Sequence, residues 1–240
     1  MNLLQQRSYQ KELLDRNDIP FEDIKRNMEE LDFINRKLGG HHITLDGLAS
    51  LLKDRMLLNS RVTIVEIGCG GGDNLRAIRN WAERIRLPLK LKGIDINENC
   101  ITYAMQLRRN RGIEFIESDY RQMVFREKPD IIFSSLFCHH FNDEELVFML
   151  QWMQQNSKIG FFINDLHRHW MAYHTIKLLT KFFSKSYLVK HDAPLSVKRG
   201  FKRNEWKLVF AKAGIPDFDC KWRWAFRWLI TCSNVNGKSI

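Results

Sequence analysis

A glycine-rich loop at residues 64–74, IVEIGCGGGDN, contains the first residues whose types and spacing point to chemistry. An apolar run ends at Glu66, and four of the next six residues are glycine. Because glycine lacks a side chain and readily adopts positive φ, such a loop lets the backbone approach a ligand closely. The loop is therefore a candidate ligand cradle, and its other residues restrict the class of ligand.

Two common phosphate-binding patterns are absent from this loop. A P-loop needs a Lys-Ser or Lys-Thr pair after its last glycine, and no glycine here precedes one. A dinucleotide-binding loop follows GxGxxG, but the sixth position is Asp73 counting from Gly68 and Leu75 counting from Gly70. An acid at the start of the following helix would also repel a pyrophosphate. Both patterns are therefore excluded.

The loop instead presents an acid followed by alternating glycines, with no basic side chain: Glu66, Gly68, Gly70 and Gly72. This arrangement suits a ligand that carries positive charge and no phosphate. S-adenosylmethionine has these properties, since it combines a sulfonium, an α-ammonium and an uncharged adenosine. We predict that the four residues cradle its methionyl part and sugar.

Two further acids follow later predicted strands. Asp95 could accept hydrogen bonds from both ribose hydroxyls, although dinucleotide folds use the same device. Asp119 could accept from the adenine amino group, with Tyr120 beside the ring. The alternative is that these acids cap helices or face solvent, but acids at three successive strand ends favour the cofactor. Two more residues at strand ends complete the predicted cofactor site, Ile96 and Ser135.

Strands and helices must alternate to bring these residues together. Short apolar or β-branched runs predict strands at 61–68, 89–97, 112–119, 130–141 and 158–166. Helical periodicity lies between them, at 73–86, 98–110 and 143–156. Such alternation predicts a parallel sheet with helices on both faces, whose ligands lie beyond the carboxyl ends of the strands.

The two ends of the chain add helices and one aromatic segment. Residues 8–57 are predicted to be helical, with a stop at Gly39-Gly40. Two helices are predicted after the fifth strand, at 167–185 and 204–214. The aromatic run at 218–232 predicts one long strand or a hairpin that turns near Trp224–Ala225.

Residues 61–232 resemble class I S-adenosylmethionine-dependent methyltransferases, since VEIGCGGG, GIDIN, ESDY and DIIFSSLFCHHF occur in that family's order. The resemblance implies an α/β fold with a Rossmann-like, doubly wound, seven-stranded sheet, the last strand antiparallel. It also implies an N-terminal helical cap, so we assign residues 1–60 to a cap and 61–240 to a methyltransferase domain. CHHF and AKAGI are more narrowly similar to small-molecule enzymes such as ubiquinone/menaquinone and polyketide methyltransferases.

Methyl transfer needs a base only when the acceptor carries a proton, and histidine can remove one at neutral pH. His140 and His167 are the preferred candidates because both follow strand ends, and His139 ranks below them. The alternative for each is a satisfied structural role. Adjacent histidines usually point in different directions and no HExxH spacing occurs, so we predict no metal site.

The segment after the fourth predicted strand bears on the acceptor atom. Relatives that methylate exocyclic amines carry Asn-Pro-Pro-Tyr or Asp-Pro-Pro-Tyr there, whereas this sequence reads SSLF. That difference favours an oxygen or carbon acceptor.

The net charge of +10 is concentrated near the C-terminus, since residues 158–240 carry 16 Lys and Arg against 5 Asp and Glu. KWRWAFRW, at 221–228, interleaves this charge with aromatic residues. Such a segment could bind single-stranded nucleic acid, line a pocket for a small molecule, or dock an acidic carrier protein or lipid headgroups. The plainer alternative is a solvated basic surface whose aromatics pack the sheet. Three residues are assigned to the acceptor: Arg168, Arg199 and His42.

The remaining composition sets the expected compartment and function. Five cysteines without a CxxC argue against disulfides and zinc. We expect a cytoplasmic protein, since no signal peptide or run of about 20 apolar residues is seen.

The predicted reaction methylates a hydroxyl or activated carbon of a hydrophobic, aromatic small molecule such as a phenol, quinone precursor or polyketide. The alternatives are an RNA methyltransferase and a non-catalytic cofactor-binding protein; nucleic acid is not an expected partner, and the oligomeric state stays open.

Overall fold

A computed structural model describes residues 4–16, 18–53 and 61–234. Seven strands are present in it: β1 (Val62–Ile67), β2 (Leu89–Asp95), β3 (Glu114–Glu117), β4 (Ile131–Ser135), β5 (Gly160–Leu166), β6 (Asp219–Arg223) and β7 (Arg227–Ser233). They form one sheet in the order β3-β2-β1-β4-β5-β7-β6. Strands β1 to β5 run parallel, and β7 is antiparallel to both of its neighbours. The predicted doubly wound sheet with an antiparallel last strand is confirmed.

Eight α-helices accompany the sheet in the described residues: α1 (Phe21–Lys37), α2 (Gly40–Leu52), α3 (Asp73–Ile85), α4 (Glu98–Gln106), α5 (Asp143–Asn156), α6 (Trp170–Phe183), α7 (Tyr187–Arg199) and α8 (Arg203–Lys212). The break between α1 and α2 falls at Gly39, whose φ is 76°, as the glycine pair predicted. The described residues of the predicted helical segment before α1, 8–16 and 18–20, contain a 3-10 turn at Leu13–Asp15 and no α-helix. The predicted helical residues 54–57 lie outside the described part of the chain.

Helix α7 is an element that the sequence interpretation missed. No helix was predicted between the helices at 167–185 and 204–214, yet Tyr187–Arg199 is helical. Pro194 lies inside the helix, and a proline normally ends a helical pattern. The apolar residues that bury the helix offset this cost: Leu188, Val189, Leu195 and Val197.

The sheet is covered on both faces, and α2 lies directly on one of them. Ile43 and Leu48 of α2 share a core with Phe162 and Leu229 of the sheet. At Gly47 the approach is so close that a Cβ atom would lie 2.6 Å from Cδ2 of Phe162. Helices α5 and α8 pack on the opposite face, where the second core lies. The division of the chain at residue 60 stays a prediction, and α2 packs as one of the helices on the sheet.

The aromatic C-terminal segment is a hairpin, the second of the two predicted forms. Strands β6 and β7 pair with Trp222 opposite Trp228, and the chain turns at residues 224–226. Trp228 is buried and its Nε1 donates a hydrogen bond to the carbonyl of Phe201 at 2.9 Å. Trp222 and Trp224 are 44% and 68% exposed. The tryptophans therefore divide between packing the core and facing solvent.

All five cysteines are buried and unpaired. Cys69 fills space beneath the glycine loop, because a Cβ on Gly93 would lie 2.7 Å from its Sγ. Burial raises the pKa of this thiol well above its ordinary value, as expected for a space-filling residue.

None of the helices in the described residues combines the length and apolar character needed to cross a membrane.

Candidate active site

A cavity of about 970 Å³ lies at the carboxyl ends of strands β1 to β4. The glycine loop and the residues after β2 and β3 form one side of it. The opposite wall comes from residues 9–19 and from α1, so the N-terminal segment closes over the strand ends. Most of the predicted cofactor residues meet here, because parallel strands bring their carboxyl ends to one edge.

Glu66 is a buried carboxyl group with one unused oxygen. It is the fifth residue of β1 and is 1% exposed. Asn74 Nδ2 donates to its Oε1 at 3.2 Å, whereas its Oε2 has no partner. Burial, with Asp73 nearby, raises the pKa of Glu66 well above its ordinary value. A cationic group in the cavity would satisfy the orphaned oxygen and favour the ionised form.

The glycine loop is fixed by Asp95. The backbone N–H of Gly70 donates to Asp95 Oδ2 at 2.8 Å, and the N–H of Asn97 donates to Oδ1 at 2.9 Å. Burial raises the pKa of Asp95. Gly68 has a φ of 66°, and a Cβ there would lie 2.2 Å from Phe137 Cδ2. The loop therefore needs glycine at this position both for its conformation and for space.

Gly72 does not line the cavity, unlike the other predicted glycines of the loop. It caps the start of α3 with a φ of 72°. A Cβ there would lie 2.6 Å from Cζ of Phe115. Its role in the structure is to turn the chain into the helix and to allow close packing.

The predicted adenine side is arranged differently from the expectation. Ile96 lines the cavity and is 69% exposed, so its apolar side chain is accessible to a ligand ring. Both oxygens of Asp119 already accept from Arg121 Nε, at 2.9 and 2.8 Å, and this bonding lowers the pKa of Asp119. Tyr120 is buried edge-to-face against Trp152, with ring centroids 5.2 Å apart. Tyr120 therefore forms part of the cavity wall and of the core at once.

Ser135 lies at the end of β4 and lines the same cavity. Asn164 Nδ2 donates to its hydroxyl at 3.3 Å, which ties it to β5.

His140 is the predicted base that the fold brings to the cavity. Its Nδ1 lies 2.9 Å from Asp15 Oδ1, and its Nε2 is 3.7 Å from Glu12 Oε2. The first distance is a hydrogen bond and the second is too long for one. The ring is therefore oriented by Asp15, with Nε2 left without a hydrogen bond.

His139 points away from the cavity into a buried network. Its Nδ1 lies 2.8 Å from Asp165 Oδ1 and its Nε2 is 3.5 Å from Glu12 Oε1. Burial opposes the charged ring, but the charge and hydrogen bond of Asp165 outweigh it and raise the pKa of His139 to about 9. Asp165 also accepts from the backbone N–H groups of Phe137 and Leu166. The His139–Asp165 pair therefore holds the loop after β4 in place. This is the structural role that was the alternative to a catalytic base for His139.

His167 and Arg168 do not line the cavity, which corrects two of the sequence assignments. His167 packs against Trp228, with ring centroids 4.9 Å apart, and burial with nearby positive charge lowers its pKa to about 4. Arg168 is buried and donates to Glu205 Oε1 at 2.6 Å and to the carbonyl of Gly200 at 2.5 Å. Both residues follow β5, where the chain is bridged to Phe201 instead of lining the ligand space.

His42 is also outside the cavity, exposed on α2. Its assignment to the acceptor fails because α2 lies on a face of the sheet and not over the strand ends.

Arg199 is the predicted acceptor residue that does line the cavity. It is the last residue of α7, and its Nε donates to the carbonyl of His139 at 2.9 Å. Its guanidinium lies 3.8 Å from Asp15 and 3.9 Å from Glu12. A buried cation thus stands beside His140 at the cavity.

The sequence interpretation missed two carboxylates at this position, Glu12 and Asp15. Both residues belong to the segment that was predicted to be helical, and residues three apart lie on the same face of a helix. That pattern gave no reason to place either carboxylate near His140. The 3-10 turn at Leu13–Asp15 presents Asp15 to the cavity instead.

In the described part of the chain, two groups of side chains lie close enough to hold a metal ion: Glu12, His139 and His140, and Asp32, His41 and Asp73. Both groups already form ion pairs. Asp32 pairs with Arg76 at 2.7 Å, and Glu12 lies near Arg199. In both groups a carboxylate therefore already lies beside an arginine. That the reaction needs no metal stays a prediction.

Comparison with known proteins finds a matching family and solved structures of similar fold. Residues 64–160 match a family described as a methyltransferase domain. The plantazolicin methyltransferase BpumL in complex with SAH is 20% identical, with 83% of this chain and 79% of that chain covered and a TM-score of 0.57. For magnesium protoporphyrin IX methyltransferase (ChlM) from Synechocystis PCC 6803 with bound SAM, the values are 14%, 90%, 92% and 0.56. Human N-acetylserotonin methyltransferase in complex with SAM gives 16%, 89%, 56% and 0.59.

At these identities the solved structures show the fold, and the family match shows a methyltransferase domain over residues 64–160. The matched residues include the glycine loop, Glu66 and Asp95, which line the cavity described above. The orphaned oxygen of Glu66 fits the cationic cofactor of this family. Residues 64–160 thus match a methyltransferase domain, and the chain has the fold of solved methyltransferases that bind S-adenosylmethionine or S-adenosylhomocysteine.

Proposed function

We propose that the enzyme transfers the methyl group to a hydroxyl oxygen, or an activated carbon, of a hydrophobic aromatic small molecule. The observation that carries this proposal is the Asp15–His140 pair at the acceptor side of the cavity. The proposal includes a cytoplasmic location and S-adenosylhomocysteine as the second product.

The cofactor supplies a methyl group activated by a sulfonium when it is bound. Glu66 Oε2 would accept from its α-ammonium, since that oxygen is buried and has no partner among the described residues. Asp95 and the loop at Gly68 and Gly70 would hold the sugar, and Ile96 would lie beside the adenine. For Asp119 to accept from the adenine amino group, it would have to share its oxygens with Arg121.

His140 would act as the general base. The carboxylate of Asp15 favours the tautomer with a proton on Nδ1, which leaves the Nε2 lone pair free to accept one. A phenol has a pKa near 10 and is a weak nucleophile at neutral pH, so removing its proton assists the attack. Asp15 is then the positioning residue for this base.

Arg199 would stabilise the negative charge that develops on the acceptor oxygen. Its side chain is buried and tied to the carbonyl of His139, so its position is set before the reaction begins. Fixed positive charge in a site shielded from water stabilises a developing oxyanion strongly.

The walls of the cavity favour an apolar acceptor. Leu14, Ile19, Phe137 and Phe141 line it beside the polar group of His140 and Arg199. An aromatic ring can pack on such walls while its hydroxyl reaches the base. Enzymes named for plantazolicin, magnesium protoporphyrin IX and N-acetylserotonin share the fold, which supports a small-molecule acceptor.

The test is transfer of labelled methyl to a panel of phenols, quinols and carrier-bound polyketides, with RNA as a separate arm. We expect the label to appear in phenols or quinols of the panel. In the His140→Gln variant turnover should fall by about 100-fold or more, while the affinity for S-adenosylhomocysteine is unchanged. His174→Gln, an exposed histidine of α6, is the matched control.

Three results would contradict the proposal. Full turnover by His140→Gln would remove the base. Label in RNA instead of the panel would favour an RNA methyltransferase. Cofactor binding without any transfer would favour a non-catalytic binding protein.

A further inference from the structure

Helix α6 carries apolar side chains that face solvent. Phe183, Phe182, Leu178 and Met171 are 80%, 67%, 59% and 46% exposed. Of its 14 residues only Ala172 and Thr180 are buried, and its main neighbour is α7. Positions 171, 178 and 182 lie on one side of a helix, so these side chains form a stripe.

This stripe continues onto the β6–β7 hairpin through a chain of aromatic contacts. Trp170 begins α6 and lies 6.0 Å from the ring of His169, which stacks on Phe226 at 5.0 Å. Phe226 in turn lies 5.9 Å from Trp224 and 6.1 Å from Trp222. Two elements that are distant in sequence thus form one surface. We refer to its exposed members as the aromatic face: Trp170, Met171, Leu178, Leu179, Phe182, Phe183, Trp222 and Trp224.

The charged side chains of α6 itself are lysines, while Glu30 of α1 accepts hydrogen bonds from Ser184 and Lys185 at the end of the helix. Lys177, Lys181 and Lys185 are exposed along α6 and its end. No Asp or Glu occurs between residues 167 and 191. Lys177 and Lys181 are four positions apart and therefore lie on one side of the helix, flanking the apolar stripe. The segment combines an apolar side with a cationic side.

We propose that the aromatic face docks on the surface of an anionic lipid bilayer, with α6 lying in the headgroup region. Helices that lie in this region place Trp, Phe and Leu toward the acyl chains and Lys toward the headgroups. The lysines complement the negative surface of such a bilayer. With 14 residues α6 is shorter than the roughly 20 that would span the hydrocarbon core.

A bilayer fits the composition of the face better than the other partners of a basic, aromatic surface. Single-stranded nucleic acid binds by stacking bases on rings, whereas Met171, Leu178 and Leu179 have none. An acidic protein would be held by the lysines and would leave the apolar stripe in water. Acyl chains accept aliphatic and aromatic side chains alike.

Docking through α6 leaves the cavity intact. Helix α7 lies between α6 and the cavity, and Leu188 of α7 shares a small core with Ile24 and Met28 of the cavity wall. The proposal goes beyond the methylation reaction, and its test needs no acceptor.

The test is co-sedimentation of the full chain with vesicles. One set contains phosphatidylcholine with roughly 30% phosphatidylglycerol, and the other contains phosphatidylcholine alone. We expect binding to the anionic vesicles, about tenfold weaker or more on the neutral vesicles and in about 0.5 M salt, where charges are screened.

Two double variants separate the apolar and the electrostatic contributions. Leu178→Ser with Phe182→Ser should weaken binding about tenfold or more, because two exposed apolar side chains are lost. Leu208→Ser, which is 63% exposed on α8, is its matched control. Lys177→Glu with Lys181→Glu should weaken binding to the anionic vesicles alone, with Lys207→Glu on α8 as control. Circular dichroism and cofactor affinity report whether each variant stays folded.

Four results would overturn the proposal. The first is no vesicle binding at about 1 mM lipid, since a membrane-docking face should bind there. The second is binding that the face variants leave unchanged. The third is RNA binding that the same variants abolish, and the fourth is a dimer that Leu178→Ser with Phe182→Ser dissociates.

Discussion

At the scale of single residues, Glu66 is the proposed partner of the α-ammonium group of the cofactor. Its buried carboxyl has a raised pKa and one oxygen without a partner. In Glu66→Gln we expect S-adenosylhomocysteine to bind about 10- to 100-fold more weakly, since a charged hydrogen bond is lost. Because the pKa of Glu66 is raised in the folded protein, its ionisation opposes folding above its ordinary pKa. The ligand-free Glu66→Gln variant should therefore be at least as stable as the ligand-free wild type at pH 8.

Calorimetric titration with S-adenosylhomocysteine measures this change. Glu83→Gln, on the exposed side of α3, is the control and should bind normally. Equal affinity in both variants would remove Glu66 from the cofactor site.

His139 makes a separate prediction about pH. Its pKa is raised from 6.5 to about 9, so its stabilising charge is complete below 6.5 and is lost as the pH rises through about 9. The unfolding free energy of the wild type should therefore fall across this window more steeply than that of His139→Gln. Urea unfolding at several pH values measures both slopes.

His42→Gln is the control for that series, because this histidine is exposed. It should keep the wild-type slope. Parallel slopes for wild type and His139→Gln would mean that His139 is neutral in the folded protein.

The residue scale also shows what local patterns can and cannot predict. The glycine loop and Asp95 were identified because their spacing along neighbouring strands is a short-range signal. The partner of His140 was not, since Asp15 lies 125 residues away in sequence. Arg168 and Arg199 looked equivalent in the sequence, and only tertiary packing makes the first a structural tie and the second a cavity residue.

At the scale of elements, α7 holds the turn at Leu13–Asp15 against the cavity. Both oxygens of Asp192 accept from the backbone of this turn, from Leu13 N–H at 2.9 Å and Leu14 N–H at 3.0 Å. In Asp192→Ala we expect faster hydrogen exchange at these two amides and a higher KM for the acceptor. Cofactor affinity should change less than about twofold, because α7 does not touch the glycine loop.

Hydrogen exchange followed by mass spectrometry reads the turn directly. Lys190→Ala, an exposed change on the same helix, should leave the exchange unchanged. Unaltered protection of Leu13 and Leu14 in Asp192→Ala would show that other contacts hold the turn.

The elements divide by how far the sequence predicts them. Strands β1, β4 and β5 are largely apolar and buried, as is typical of parallel sheets. All five parallel strands begin within two residues of their predicted starts. Helix α7 could not be found this way, because Pro194 interrupts its pattern and its stability comes from burial against α1 and α6. The composition of the segment before α1 is compatible with a helix. Contacts with α7 instead determine the backbone conformation of its turn at Leu13–Asp15.

At the scale of the whole molecule, the division of the chain at residue 60 is open to a direct test. Removing residues 1–39 takes away α1 and one cavity wall but leaves α2 on the sheet. Removing residues 1–60 also strips α2 from Phe162 and Leu229, which lie in the core. We expect the shorter deletion to unfold cooperatively on heating and the longer one to lack a cooperative transition, because it exposes a large apolar area.

Thermal unfolding followed by circular dichroism compares the two deletions with the full chain. Cooperative unfolding of the longer deletion would establish residues 61–240 as an independent domain.

The single cavity shared by Glu66 and His140 has a consequence for the order of events in catalysis. Glu66 lies deep, at 1% exposure, whereas the His140 side chain is 18% exposed nearer the opening. A bound acceptor would therefore block the route to the deeper groups. We expect an ordered steady-state mechanism in which the cofactor enters first and its demethylated form leaves last. S-adenosylhomocysteine should then inhibit competitively against the methyl donor and noncompetitively against the acceptor.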